Sequence, residues 1–410
     1  RSWLDNLKLR FSVGALGNGN VDPYKFLPTM SIDKTGVIVG DGQVNYTSYP
    51  GLIPNNLTWE KVTTYDVGVD VDMFKNRLTI GFDWYRRNTT DMYTVGPTLP
   101  EVLGTTQPKG NYANLKTKGW ELTLSWRDNF KLAGSDFHYG VKFMLWDSQS
   151  WITKYNNATG KLSDYYEGYR IGDIWGYNIE GLFTSYDEIA NHADQDYIKI
   201  SDSKIWQPGD LKFADLNGDG KIDKGAQTLS DHGDLVIVGN EEERYHYGFN
   251  LNVGWKGIGI SAFFQGVGKR DWYPGQETGF FWGKYNRPYG YSLKMHENRW
   301  TEENPNPNAY WPRLVGYSSE NGGRPMGTPN NRYMQDASYL RLKNIELGYT
   351  FDKKLLPALG ACKIRLYGSI QNALTFTSYK GFDPEQETGE TRAEAYPQTR
   401  IYTVGLSVNF

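Results

Sequence analysis

Alternation with a period of two is the feature that most limits what this chain can fold into. Along residues 401–410, Tyr402, Val404, Leu406, Val408 and Phe410 are large and apolar, while Thr403, Gly405, Ser407 and Asn409 between them are small or polar. Successive side chains of a strand point to opposite faces, so such a segment reads as a strand with one apolar and one polar face. Nine earlier segments repeat the pattern. Leu7, Leu9, Phe11 and Val13 alternate with Lys8, Arg10, Ser12 and Gly14. Tyr65, Val67, Val69, Val71 and Met73 oppose Asp66, Gly68, Asp70 and Asp72; after a tight turn at 75–77, Leu78, Ile80, Phe82 and Trp84 do the same. Trp120, Leu122, Leu124 and Trp126 form a fourth set, and Phe137, Tyr139, Val141, Phe143 and Leu145 a fifth. The clearest is Tyr245, Tyr247, Phe249, Leu251, Val253 and Trp255. Ile258, Ile260, Ala262 and Phe264 follow it, and Ile364, Leu366, Gly368 and Ile370 come later. Between these, Ile345, Leu347, Tyr349 and Phe351 share a face, with Leu340 and Leu342 upstream out of phase, which predicts a β-bulge near Asn344.

The connections carry a second pattern. Those at 75–77, about 128–136, 256–257 and about 353–362 are short, and those at 18–58, 97–115, 153–244, 273–337 and 380–399 are long and polar. Short and long connections alternate, as in an outer-membrane barrel with tight turns at one rim and long loops at the other. Tyr245 and Trp255 bracket one segment and Trp120 and Trp126 another, in the manner of interfacial aromatic girdles. A tilted strand of about ten residues crosses a bilayer. The predicted fold is therefore all-β: an antiparallel transmembrane β-barrel wall of ten strands, either a small closed barrel or part of a larger one. Its polar face, with Asp66, Asp70, Asp83, Glu121, Arg127 and Lys142, lines a lumen or meets whatever fills it. A soluble calcium-binding β-protein, or an adhesin that holds glycan, is the alternative.

Composition narrows the function. Mean hydropathy is −0.62, which a transmembrane barrel shares with soluble proteins because only alternate residues meet lipid. No apolar run is long enough for a membrane-spanning helix. The net charge of −3 gives no reason to expect a nucleic-acid partner. A single cysteine, Cys362, leaves no internal disulfide and no cysteine-based zinc site. His138, His192, His232, His246 and His296 are scattered, and no HExxH, GxSxG or phosphate-loop pattern occurs, so no enzyme is expected. Gly266-Val267-Gly268 falls in a strand and is no nucleotide fingerprint. The chain opens on Arg1-Ser2-Trp3-Leu4 without a signal peptide, as expected of a processed form or a fragment of something longer.

Two loops hold candidate sites. Asp215-Leu216-Asn217-Gly218-Asp219-Gly220-Lys221-Ile222-Asp223 matches the first nine positions of an EF-hand-type calcium loop. Asp215, Asn217 and Asp219 would supply side-chain oxygens, Lys221 its carbonyl, and Asp223 a direct or water-mediated contact. Position 12 is Ala226 rather than an acid, so Asp231 or Asp234 is the candidate to complete the sphere. The expected cofactor is a structural Ca2+ or a similar hard cation; the competing reading is an Asx/Gly-rich turn without metal. The 273–337 loop is rich in aromatics, of which Trp282, Tyr285, Trp300 and Trp311 are candidates to stack on a ligand, or else to form the loop's own core.

Several stretches go beyond generic barrel character. They include Leu57-Thr58-Trp59-Glu60-Lys61, Phe82-Asp83-Trp84-Tyr85-Arg86-Arg87, Lys118-Gly119-Trp120-Glu121-Leu122, Gly172-Asp173-Ile174-Trp175-Gly176-Tyr177 and the 215–223 loop itself. Phe263-Phe264-Gln265-Gly266-Val267, Tyr339-Leu340-Arg341-Leu342-Lys343-Asn344, Lys380-Gly381-Phe382-Asp383-Pro384-Glu385 and Tyr396-Pro397-Gln398-Thr399-Arg400 complete the series. In this order the chain resembles the C-terminal half of the barrel of SusC/RagA-type TonB-linked outer-membrane transporters. The resemblance implies a 22-stranded barrel with an N-terminal plug and a TonB-contacting segment, neither of which is in residues 1–410. It also implies TonB-powered import of an oligosaccharide or peptide across the bacterial outer membrane, with a SusD-like surface lipoprotein as partner. On that reading 153–244 and 273–337 are extracellular loops.

Overall fold

The computed structural model describes residues 3–19, 27–53, 57–96, 100, 102, 107–198, 205–275, 278–285, 290–314, 326–351, 363–381, 383–385 and 398–409. Ten long strands form one antiparallel sheet: β1 (Leu4–Asn18), β2 (Glu60–Met73), β3 (Leu78–Val95), β4 (Lys109–Leu132), β5 (Ser135–Lys154), β6 (Arg244–Trp255), β7 (Ile258–Lys269), β8 (Tyr339–Thr350), β9 (Lys363–Thr377) and β10 (Ile401–Asn409). Their spatial order is their chain order, so each strand pairs with its sequence neighbours.

The tight rim is built by residues that accept left-handed backbone. Ala133 (φ 47°) and Gly134 (φ 75°) join β4 to β5, and Lys256 (φ 48°) and Gly257 (φ 85°) join β6 to β7. Two left-handed residues make the mirror-image turn whose twist matches antiparallel strands. The connection expected over about 128–136 is thus only two residues, because β4 and β5 stay paired out to Leu132–Ser135. Asp128, Asn129 and Lys131 break the apolar pattern there without breaking the ladder. The turn expected at 353–362 lies outside the described residues. At the other rim the strands overshoot: β3, β4 and β5 are 18, 24 and 20 residues long, against about ten needed to cross a bilayer.

Register places whole rows of side chains on one face. Leu9, Val69, Phe82, Leu122, Leu145, Tyr247, Gly266, Leu340 and Phe376 stand opposite one another from β1 to β9. This is the apolar face. The next row, Arg10, Gly68, Asp83, Glu121, Trp146, His246, Val267, Tyr339 and Thr377, lies on the lumen face. Glycine admits close approach in each row. A Cβ on Gly266 would collide with the Tyr247 ring, and one on Gly68 would lie 2.7 Å from Arg10 Cζ.

The bulge in β8 falls where the phase change predicted it, with register shifts at Leu342/Asn344 against both neighbours. Its cause is the apolar face itself. Leu342 sits opposite Phe264, and Ile345 opposite Ala262. An extra residue between them returns both halves of β8 to the same face, where Leu342, Ala262 and Ala373 are buried together against Ile345 and Ile370.

The sheet has little core of its own; the large buried core lies in the loops. Described residues from the 153–244 and 273–337 connections, with Trp272 and Tyr379, share one cluster that includes Tyr177, Phe183, Phe213, Ile222, Phe281 and Trp311. Short ladders frame it: Ile179–Leu182 with Leu211–Phe213, Asp173–Gly176 with Val236–Asn240, and Asp271–Trp272 with Gln335–Asp336. The two longest connections therefore fold as one cap over neighbouring strands β5 to β8. The first loop instead forms a separate hairpin, Ile32–Val39 with Gly42–Thr47.

The two faces respond differently to charge. Phe249→Arg places a guanidinium on the apolar face and is expected to cost about 2–4 kcal/mol of folding stability in bilayers. Asn250→Arg, one residue along on the lumen face, should leave folding nearly unchanged. The comparison is read as the fraction of protein that keeps heat-modifiable migration after reconstitution.

Candidate functional site: the loop cap and the lumen wall

The 215–223 turn wraps backbone around its own carboxylates. Asp215 accepts the Gly218 amide at 2.7 Å through Oδ1 and the Gly220 amide at 2.9 Å through Oδ2. Gly218 and Gly220 are left-handed, at φ 75° and 79°, which is what turns both amides inward. Asn217 Oδ1 accepts the Asp219 amide at 3.0 Å, and Asp219 Oδ1 the Lys221 amide at 2.8 Å. Ile222, fully buried, plugs the turn into the cap core. Asp223 Oδ1 accepts the Gly225 amide at 2.7 Å.

The two later acids are engaged nearby. Asp231 Oδ2 accepts the Ala226 amide at 3.0 Å. Asp234, buried, takes the Leu216 amide at 2.7 Å and the Asp223 amide at 2.9 Å, stitching the start of the turn to its end. Among the described residues no three acidic or histidine side chains are gathered as a metal-holding group. Each carboxylate oxygen retains lone pairs beyond these amide bonds, so the all-oxygen donor set still suits a hard cation.

The four aromatic candidates are where the structure departs from a ligand-stacking role. Trp282 and Trp311 are 0% exposed and Tyr285 2%. Trp311 is sandwiched, with Tyr285 on one side (5.2 Å, 18°) and Tyr333 stacked at 5.2 Å and 20°. The polar atoms are used internally: Trp282 Nε1 donates to Gly275 O at 2.9 Å, Trp311 Nε1 to Met295 O at 2.9 Å and the Tyr285 hydroxyl to Pro312 O at 2.7 Å. Trp300, also buried, covers Gly209, where any Cβ would strike the ring. These rings are the cap's core, because connections this long are stable only with packing of their own.

Two buried titratable groups tie the cap together. Arg313 meets Asp210 at 2.6 Å and 2.9 Å, joining the two loops, and burial pushes the Asp210 carboxyl up to about 6. His296 donates from Nε2 to Phe281 O at 2.7 Å and accepts the Leu293 amide at Nδ1 at 2.8 Å. Burial holds its pKa below the ordinary imidazole value, and protonated Nδ1 would face an N–H donor.

The lumen wall is ionic. Arg10 bonds Asp70 at 2.8 Å and Asp83 at 2.6 Å across Gly68. Arg341, 2% exposed in its side chain, meets Asp383 Oδ2 at 2.8 Å, Glu385 Oε2 at 2.5 Å, Gln398 Oε1 at 2.6 Å and Thr375 Oγ1 at 2.9 Å. Lys343 adds a 2.7 Å pair to Glu385. The stretches 339–344 and 380–385, separate in sequence, thus form one charge-balanced network. Trp146 was missed by sequence reading. It stacks on His246 at 5.3 Å and 6°, yet stays 40% exposed on the lumen face. Its signal was an aromatic in the polar phase of β5.

Residues 2–218, more than half of the chain, match the family described as "TonB dependent receptor-like, beta-barrel". This chain belongs to that family. Among its relatives, TonB-dependent receptor P3 of Formosa agariphila is 29% identical over 98% of the chain and 39% of that protein. TonB-dependent receptor SusC of Bacteroides thetaiotaomicron is 26% identical over 99% of the chain and 38% of its own length. The chain therefore spans about two fifths of the curated relatives it matches. A solved structure of the RagAB peptide transporter shares its fold, with a TM-score of 0.70 over the whole chain and 41% of that structure, at 23% identity. The TonB-dependent receptor family accounts for the ten-stranded wall and its alternating rims; the cap's internal packing is read from this chain alone.

The cap core is testable by truncation and by acid. Trp311→Ala should cost about 3–5 kcal/mol and expose the cap, not the wall, to limited proteolysis. For His296, a depressed folded-state pKa means its contribution is complete above about 6.5 and is lost as pH falls through the lower folded value. Asp210 acts with the opposite sign, its buried charge costing stability above about 6. Cap proteolysis at pH 5 relative to pH 7.5 should therefore be less pronounced in His296→Gln than in the parent protein.

Proposed function

We propose that this chain is barrel wall and extracellular cap of a bacterial outer-membrane importer that takes up an oligomeric nutrient, glycan or peptide, with energy delivered by TonB. The observation that carries the reading is an antiparallel wall of family type, apolar on one face and ionic on the other, whose edge strands β1 and β10 each pair on one side only among the described residues. An edge of unpaired backbone is not tolerated in lipid, so the wall needs further strands to close. Relatives named TonB-dependent receptors, SusC among them, and the fold shared with a peptide transporter support import. A SusD-like surface lipoprotein is the partner this reading assigns above the cap. The alternative of a soluble adhesin is disfavoured by the apolar face, on which Leu9 is 79% and Val404 82% exposed.

The reading extends to the 215–223 turn as a structural Ca2+ site, with Asp215, Asn217, Asp219, the Lys221 carbonyl and Asp223 as ligands. A cation there would neutralise the carboxylates of the turn, which already accept its backbone amides. Its role would be structural, ordering the turn from which Ile222 plugs into the cap core.

Uptake of a labelled nutrient by cells carrying the full-length protein should cease when TonB is deleted; uptake that persists unchanged would overturn import by this route. Ca2+ at about 100 times its dissociation constant should stabilise the cap by about 2.7 kcal/mol, and Asp215→Asn together with Asp219→Asn should abolish that gain. A melting temperature indifferent to Ca2+ and to chelator would remove the cation from the proposal.

A further inference from the structure

On the lumen face positive charge is matched: Arg10 gathers Asp70 and Asp83, and Arg341 gathers Asp383 and Glu385. The opposite, apolar face carries a basic cluster without such partners. Toward the long-loop rim, its rows pass from Val67, Trp84 and Trp120 to Tyr65, Arg86 and Lys118, and then to Thr63, Asn88 and Lys116. Register thus sets Arg86 directly opposite Lys118, with Lys116 diagonal to Arg86 on the same face. Side chains so placed have Cβ atoms about 5 Å apart, or about 7–8 Å on the diagonal, and like charges there repel. The neighbours in the same rows, Gln149 and Asn88, are amides. Arg86 Nε donates to Asn88 Oδ1 at 3.1 Å, and the Lys116 ammonium lies 5.6 Å from the centre of the Trp151 ring. Among the described residues no ion pair reaches Arg86, Lys116 or Lys118. Asp147, the acid that stands opposite Trp120, is buried and is taken by Arg244 through both Nε and Nη2. Arg86 and Lys118 are exposed.

Cations set side by side without a counter-charge destabilise the wall unless an anion comes from outside the chain. The position says which anion. Arg86 and Lys118 stand about 7 Å along their strands beyond Trp84 and Trp120, rings of the kind that mark a membrane–water interface. Long basic side chains at that level reach into the headgroup layer. On the other side of the rings the same face continues apolar, through Phe82 and Leu122 to Ile80 and Leu124. Acyl chains would lie there. A free phosphate ion gains nothing from that apolar strip, whereas a lipid engages strip and cations together. A guanidinium binds phosphate oxygens bidentately and an ammonium binds them as a point charge. Arg86 and Lys118 present one of each on adjacent strands.

We propose that Arg86, Lys116 and Lys118 form a site on the outer face of the wall for the phosphate of an anionic lipid, in the leaflet next to the long loops. The site goes beyond import and rests only on the membrane placement of the wall. The test uses the full-length protein in a non-ionic detergent, with phosphorylated lipid A as the probe and bound lipid counted by native mass spectrometry. The parent should retain the lipid. Arg86→Gln, Lys116→Gln and Lys118→Gln combined should weaken retention about tenfold or more. Arg86→Lys with Lys118→Arg, which keeps both charges, should retain it nearly as the parent does. Lys75→Gln with Lys256→Gln, which removes the same kind of charge at the tight rim, should change nothing. Heat-modifiable migration shows that each variant is folded. The site is overturned if the triple variant holds the lipid as the parent does, if the tight-rim variant loses as much, or if dephosphorylated lipid A binds equally. It is also overturned if equimolar inorganic pyrophosphate displaces the lipid, which would make it a site for free phosphate. Release of the protein from cells without detergent would overturn the membrane placement and the site with it. Lipid retention that depends on the three cations, in a protein whose uptake ignores TonB, supports the site and overturns import. TonB-dependent uptake with retention unchanged in the triple variant does the reverse.

Discussion

Everything in this structure answers to the backbone's need for partners in a solvent that offers none. Inside a bilayer a strand must bond on both sides, and its outward side chains must be apolar. The antiparallel order β1 to β10, the rows of residues that keep to one face and the bulge in β8 all follow. The bulge shows the constraint most sharply. The chain accepts a local break in the ladder so that Leu342 and Ile345 can both stay on the apolar face. A local irregularity of hydrogen bonding costs less than turning half a strand's apolar residues toward the lumen.

Outside the bilayer the problem is inverted. Water satisfies loose backbone freely, so a long loop needs an apolar core to order it at all. The cap supplies one from aromatic rings, and seals it with the Asp210–Arg313 pair and with Asp234, whose two oxygens join Leu216 to Asp223. The lumen wall uses a third device. Arg10 and Arg341 each gather two carboxylates, so charges facing the interior are mutually satisfied. Buried or half-buried charge is tolerable only when paired in this way.

The wall was legible in the sequence because period two is a direct image of face selection. All ten strands and the position of the bulge could be read from it. The turn at 128–136 was drawn too long because Asp128, Asn129 and Lys131 are polar, yet Lys131 and Leu132 still pair with Asp136 and Ser135. The cap was not legible. Its rings carry no period, and nothing in the spacing of Trp282, Tyr285 and Trp311 tells whether they cover one another or a ligand. The Asp215 turn was legible as residue type and spacing, while the engagement of Asp231 and Asp234 with backbone amides depends on how the chain returns after Ala226. Arg341 and Asp383 each stood out in a motif, but contacts across 42 residues leave no trace in a single sequence.

The shared core of the two long loops also has a mechanical side. The loops spring from neighbouring strands, one between β5 and β6 and the other between β7 and β8, and are fused by buried rings above them. Four adjacent strands are thereby cross-braced at their outer ends, like staves held by a single hoop segment. That sector of the wall resists any change of curvature. β9 joins the brace through Tyr379, and the sector β1 to β4 lacks it among the described residues. Deformation imposed on the barrel from below would be taken up there, with the braced sector moving as one stiff panel.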